Sequence, residues 1–281
     1  MSADLIEMVQ NFGRPRVLVV GDLMLDRYVW GDAARLSQEA PVILLQADRR
    51  EERLGGASSV ATMLSALQAD VSLVGVVGPD ADGVRVRQIL DGLGVEPAGL
   101  RADDGRPTTV KERYIGRAQH KHPQQMLRVD FETREPVAGE VEAALCEAIA
   151  AEVRRADVVL ISDYDKGVCT PAVMAAAIDG AKRRGIRVVA DPIRGRDYGK
   201  YRGCSSMTPN RLEAGLATDR TVESPEEAIG PPVNSATSWA SKPGSSRSTR
   251  TAWPWLTATG PRRFTRRARD RSTTSPGPAT W

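Results

Sequence analysis

The chain has 281 residues, with 39 Lys and Arg against 36 Asp and Glu, for a formal net charge of +3. Residues 230–281 hold nine of those basic residues and a single acid, Asp270, so the first 229 residues carry −5 and the tail +8. A basic excess confined to a tail argues against a nucleic-acid-binding body, no apolar run approaches a membrane span, and MSADLIEMVQNFG is not a secretory signal.

In chain order, residues 1–15 read as a short amphipathic lead-in helix, and Arg16 to Val20 as a β run closed by Gly21-Asp22. Two short strand-like runs follow within 27–47, around Tyr28–Trp30 and Val42–Gln46; their polar and aromatic character suits an outlying sheet. Residues 56–67 have helical spacing (Val60, Met63, Leu64, Leu67). Residues 71–77 read as a buried strand and 84–93 as a helix, followed by short strands at 107–115 and 126–130. Then come a helix at 138–154, a strand at 157–162, a helix at 171–184, a strand at 186–190, a short strand near 205–208 and a helix at 210–216. From residue 56 onward strand and helix alternate, which predicts a doubly wound, mostly parallel α/β sheet. The β runs at 27–47 and 107–116 interrupt it and predict a small accessory sheet at the carboxyl edge, where open α/β folds bind ligands.

From Gly230 the pattern fails. The tail has no Ile, Met or Glu, holds four of the five tryptophans, and is otherwise rich in Ser, Thr, Pro and Arg. It lacks any helical or strand period and is expected to be disordered. The cysteines, Cys146, Cys169 and Cys204, are odd in number and far apart, so they make neither a disulfide framework nor a zinc spacing. A cytoplasmic location is the simplest expectation.

Several short strings carry candidate chemistry. Gly55-Gly56-Ala57-Ser58-Ser59 precedes a helix; paired glycines let a ligand approach backbone and helix N–H groups, or they form a plain turn with Ser58 or Ser59 as N-cap. Gly21–Asp26 ends the first strand. There Asp26 suits hydroxyl recognition or is a solvated charge, and Asp22 fits a helix N-cap. In Ser162–Gly167, Asp163 and Lys166 face a phosphate or sugar, or sit in a charged βα loop. Asp191-Pro192 closes a strand. His120 and His122 flank Lys121 in a polar loop. In Thr208–Glu213, Asn210 and Glu213 share a face at a helix start. They suit a hydrated Mg²⁺ beside a phosphate, or a cap in which Glu213 reaches back to Asn210.

These strings come in the order of the ribokinase-like (PfkB) sugar kinases, which the chain resembles from about residue 14 to 229. Gly21–Tyr28, Gly31-Asp32, Glu39–Val42, Leu127–Glu132, Asp163–Gly167 and Tyr201–Gly203 resemble the heptose 7-phosphate kinases of lipopolysaccharide and S-layer sugar synthesis. The resemblance implies a ribokinase-like fold with a small β lid and a homodimer through that lid. It also implies ATP-dependent phosphorylation of C1 of D-glycero-β-D-manno-heptose 7-phosphate. Asp26, Gly55, Gly56, Ser59, Asp163 and Lys166 would then meet the sugar phosphate. Asn210, Arg211, Leu212 and Glu213 would meet the nucleotide, with Asn210 and Glu213 reaching Mg²⁺ through water. No nucleic acid or membrane partner is implied.

Two departures stand out. Ser59 occupies a position where the family usually has Asn. No G-A-G-D string occurs anywhere in the chain, although in these kinases that motif supplies the anion-binding backbone and the general-base aspartate. The adenine-side elements expected after residue 229 are missing as well. A one-base shift of reading frame would account for both; a disordered basic tail and a separate interaction segment are the alternatives. Read one base back, Ser272–Trp281 permits Y-D-I-T-G-A-G-D-M, and the stretch over 251–260 permits D-G-M-A-L-V-D-R-D. The sequence therefore reads as an incomplete kinase domain over 1–229 and a frameshifted tail over 230–281.

Overall fold

The computed structural model describes residues 13–117, 122–195, 198–210 and 212–214. The expected lead-in helix, His120, Arg211 and the whole tail lie outside the described residues.

Ten strands and four α-helices follow one another in the described residues. The strands are β1 (Arg16–Gly21), β2 (Leu23–Leu36), β3 (Ile43–Gly55), β4 (Asp70–Val77), β5 (Glu96–Ala102), β6 (Val110–Arg117), β7 (Gln124–Phe131), β8 (Val158–Ser162), β9 (Arg187–Asp191) and β10 (Ser206–Met207). The helices are α1 (Gly56–Ala66), α2 (Ala81–Gly92), α3 (Gly139–Val153) and α4 (Pro171–Arg184). A six-stranded sheet has the order β10-β9-β8-β1-β4-β5, with every pair parallel. A second sheet, β3-β2-β6-β7, is mixed: β2 pairs antiparallel with β3 and parallel with β6.

The doubly wound arrangement is written into β1. Leu18 and Val20 are fully buried on the face covered by α3 and α4, against Leu145, Ile149, Val173 and Ala177. Val17 and Val19 bury on the opposite face with Ala57, Ala61, Val86 and Leu90 of α1 and α2. A strand covered on both sides is apolar throughout rather than alternating, as the Val-Leu-Val-Val run is. The helices are set by their ends. The α4 helix starts at Thr170, whose hydroxyl accepts from the Val173 N–H at 3.2 Å. Pro171 opens its first turn, and Gly185 stops it in a left-handed conformation at φ 68°.

The second sheet grows out of the first. Only Asp22 separates β1 from β2, so the chain passes from the carboxyl end of the central strand straight into the second sheet. One face of that sheet, carrying Leu25, Leu54 and Val110, joins the core beside α1 and α2. Arg27 continues this face. Its side chain is 9% exposed and pairs with Glu52 of β3 at 3.0 Å, with Glu112 of β6 at 3.8 Å, and with Asp82 of α2.

Candidate functional site

The strands of the parallel sheet all end on one edge, and the candidate residues collect there as three groups. The central group lies where the order reverses between β1 and β8. Asp22 is 1% exposed. Its carboxylate accepts from the backbone N–H groups of Tyr164 at 2.7 Å, Lys166 at 3.2 Å and Val168 at 3.1 Å. No helix follows it, which corrects the N-cap expectation: Leu23 opens β2 and bridges to Gly56, and the strand is then paired with β3 from Met24 and with β6 from Leu25. Burial pushes the Asp22 carboxyl above its ordinary range against the pull of the Tyr164 N–H, and the Asp163 charge adds to the rise.

Asp163 and Lys166 are buried with protein partners. Asp163 accepts from the Tyr201 hydroxyl at 2.7 Å and from the Asp165 N–H at 2.9 Å, and it pairs with Lys200. Burial raises the Tyr201 phenol, and the Asp163 charge raises it further. Lys166 donates from Nζ to Glu132 at 2.7 Å. Between Asp22, Arg106 and Lys166 remains a cavity of about 10 Å³, at the lower limit for one water. That cavity is too small for a ligand larger than water. Glu132 and Tyr201 belong to strings that carry the family resemblance but had no site role there, and Lys200 belongs to none; their signal is a charged or hydroxyl partner for each buried ion.

On one side stand Asp26, Gly55 and Gly56. Asp26 and Gly55 are 29 positions apart, and β2–β3 pairing sets Met24 opposite Gly55 and Asp26 opposite Arg53. A Cβ on Gly55 would lie 2.6 Å from Asp26 Oδ2. Gly56 has φ 56°, and a Cβ there would collide with the Asp22 carbonyl. That carbonyl instead accepts from the Ala57 N–H at 2.8 Å. These glycines let the first turn of α1 and the Asp26 carboxylate share one spot. The N-cap of α1 is Gly55, without a side-chain cap, which corrects the expectation for Ser58 and Ser59. Ser58 is buried and its hydroxyl turns back to the Gly55 carbonyl at 2.7 Å; Ser59 is half-buried in the first turn of α1. Arg113 of β6, missed from sequence because it belongs to no local string, donates to Asp26 Oδ1 at 2.6 Å.

On the other side, beyond β9 and β10, Asn210 and Glu213 interlock. The Asn210 N–H and Nδ2 donate to the Glu213 carboxylate at 2.7 and 2.6 Å, and the Glu213 N–H donates to Asn210 Oδ1 at 3.0 Å. This is a reciprocal cap at a helix start, the plainer of the two readings of that pair. Burial holds the Glu213 carboxyl above its usual range. Leu212 between them is 50% exposed. Next to them Thr208 donates to Asp191 at 3.1 Å. Among the described residues no three His, Cys, Asp or Glu side chains gather as a metal cluster, and no helix is long and apolar enough to cross a membrane.

Residues 14–230 match the pfkB family carbohydrate kinases. The chain is 46% identical over 205 residues to the bifunctional protein HldE of Wolinella succinogenes, covering 73% of this chain and 42% of that protein. It is 44% identical over 211 residues to HldE of Geotalea uraniireducens, covering 75% and 42%. It thus spans about two fifths of the length of these curated relatives. Among solved structures it resembles Arabidopsis thaliana ribokinase complexed with ribose and ATP, with a TM-score of 0.56 and 20% identity over 76% of this chain and 66% of that one. It also resembles the tetrameric inhibited form of Escherichia coli phosphofructokinase-2, with a TM-score of 0.55 and 14% identity over 76% and 67%. At those identities the likeness is one of fold: a mostly parallel sheet with a second, mixed sheet at its edge. Fold, match and relatives agree, and the chain belongs to the pfkB family of carbohydrate kinases.

Proposed function

We propose that the chain derives from an ATP-dependent kinase that phosphorylates the C1 hydroxyl of D-glycero-β-D-manno-heptose 7-phosphate, and that the 281-residue form does not turn over. The observation that carries the sugar side is the Asp26 carboxylate held against the Gly55 backbone at the start of α1. A carboxylate accepts hydrogen bonds from hydroxyls, and a glycine leaves room for a ring beside it. Asp163 and Lys166 act one layer behind, fixing the loop between the two sides through Tyr201, Lys200 and Glu132.

The nucleotide would lie on the Asn210–Glu213 side. These two residues fit a hydrated Mg²⁺ rather than a directly bound one. Their groups are oriented by one another, and among the described residues each Glu213 oxygen is bound once and keeps a lone pair for a metal-bound water. Bound Mg²⁺ would offset phosphate charge during transfer. Arg211 was assigned to the same side. A homodimer through the second sheet and a cytoplasmic location belong to this reading.

Phosphoryl transfer also needs a base for the attacking hydroxyl and donors for the transferring group. The written sequence supplies no G-A-G-D string for either, whereas the shifted frame permits one across residues 276–280. A coupled ADP-release assay with heptose 7-phosphate tests this. The 281-residue chain is expected to be silent, deletion of residues 230–281 to leave it silent, and restoration of the frame from about Ile229 to give turnover. Robust turnover by the chain as written would end the inactivity claim; a silent frame-restored enzyme would end the substrate assignment. A second reading, a non-catalytic sugar-phosphate binder, draws on the complete Asp26–Gly55 side and predicts binding without turnover in every form.

Asp26→Ala in the frame-restored enzyme should weaken sugar-phosphate binding by about 1.5–3 kcal/mol, the worth of a hydrogen bond to a charged group, and leave ATP binding unchanged. Titration calorimetry with each ligand checks it.

A further inference from the structure

The face of the second sheet that carries Asp26 holds more positive charge than that carboxylate can use. Asp26 has a cation directly opposite on both neighbouring strands, Arg53 of β3 and Lys111 of β6. Two positions along, Arg113 lies opposite Tyr28 and bends back to Asp26. Three cations therefore stand on the two strands that flank Asp26. Two further carboxylates lie on this face: Asp130 of β7, opposite Lys111, pairs with Arg128 at 2.8 Å, and Glu51 pairs with Arg53 at 3.0 Å, but the Arg53 side chain is 68% exposed, and an exposed pair of this kind is held weakly.

The two guanidinium groups are arranged rather than scattered. Both stand over the Tyr28 ring, Arg53 at 5.4 Å and Arg113 at 5.2 Å from its centroid. An aromatic face restrains an arginine without consuming its N–H donors. Arg113 is 19% exposed, and among the described residues it uses only Nη1, toward Asp26 and the Lys111 carbonyl. Its Nε and Nη2 are left for another acceptor. A neutral sugar needs the carboxylate and has no use for a surplus of fixed cations. A phosphate does, because the planar guanidinium fork matches its oxygens in pairs.

We propose that Arg53 and Arg113, ordered on Tyr28 beside Asp26, clamp the phosphate already present on the acceptor, so that this site selects a sugar phosphate over the free sugar. The inference rests on the reading of Asp26 as the sugar side. Asp26 takes the hydroxyls, Arg113 bridges Asp26 to the phosphate, and Arg53 closes on the phosphate from β3 by leaving Glu51.

Binding decides it, so the full 281-residue chain serves. Calorimetry is run with D-glycero-D-manno-heptose 7-phosphate and with the same heptose without its phosphate, on wild type, Arg53→Gln and Arg113→Lys. The exposed Arg53 can be replaced without disturbing the core, and an unchanged urea midpoint verifies that. The wild type should favour the phosphorylated sugar. Arg53→Gln should lose about tenfold or more of that affinity, the equivalent of one charged hydrogen bond, with affinity for the free heptose unchanged. Arg113→Lys keeps the charge but not the fork and should lose affinity in the same ligand-specific way. If both variants bind heptose 7-phosphate as the wild type does, the clamp is wrong while the sugar site stands. If the wild type binds neither sugar, the sugar-side reading fails and takes the clamp with it.

Discussion

Gly55 and Gly56 are adjacent but do different work, and substitution should separate them. An alanine at 55 would put its Cβ 2.6 Å from Asp26 Oδ2. Gly55→Ala should therefore push the carboxylate aside and weaken heptose 7-phosphate binding with little loss of stability, as calorimetry and urea unfolding would show together. At 56 the backbone is left-handed and the Asp22 carbonyl blocks a side chain. Gly56→Ala should cost about 2 kcal/mol in the unfolding midpoint before any ligand is considered. A third residue, Asp157, contributes to the acid response of the fold. Arg16 holds the Asp157 carboxylate by hydrogen bonds from its side chain and its N–H, lowering the Asp157 pKa to about 2. A depressed carboxylate stabilises the folded state above its unfolded value near 3.8, and that contribution fades as the pH falls toward 2. Asp157→Asn should flatten stability against pH between about 4 and 2, and leave its slope above pH 5 as it was. Urea titrations at stepped pH would record it.

Elements were legible where the chain is locally consistent. The α4 helix announces itself through Thr170, Pro171 and Gly185, and the structure places it over Pro171–Arg184 as expected. The β5 strand was not seen, because Pro97 and Gly99 punctuate it and it contains neither valine nor isoleucine. It survives as an edge strand, where proline is tolerated, and Gly99 is required by the close approach of Val74 and Ala148. The 14-residue β2 was read only around Tyr28–Trp30, since its length comes from pairing with β3 and β6, information held far away in sequence. The site divides the same way. Asn210 and Glu213, three apart, were readable as a pair; Arg113, 87 positions from Asp26, was not. Joining the elements is Arg27, whose cluster ties β2, β3 and β6 to α2. Arg27→Ala should destabilise the fold by about 3 kcal/mol, because it leaves carboxylates facing one another beside the core. Arg27→Met, which keeps the packing, should recover part of the loss. Hydrogen exchange in β2 and β3 would show whether the second sheet loosens first.

At the scale of the whole molecule, the six-stranded sheet is closed on neither side among the described residues. It ends at β5 on one edge and at β10, two residues long, on the other. Among the described residues no strand covers the outer side of β10, and an open parallel edge is a template for association. The 281-residue chain is expected to self-associate in sedimentation runs, and the frame-restored enzyme to do so much less.

The three N–H bonds received by Asp22 have a consequence for the order in which the protein is made. They join the end of the central strand to residues 142 to 146 positions later, and β1 must be flanked by β8 as well as β4. The middle of the molecule therefore waits for its second half. While the chain emerges from the ribosome, β1 has only one permanent neighbour, and the donors of Asp22 are complete only when residue 168 is free. A chain arrested at residue 157 should be cut rapidly by added protease near Gly21, and one arrested some forty residues beyond 168, clear of the exit tunnel, should resist.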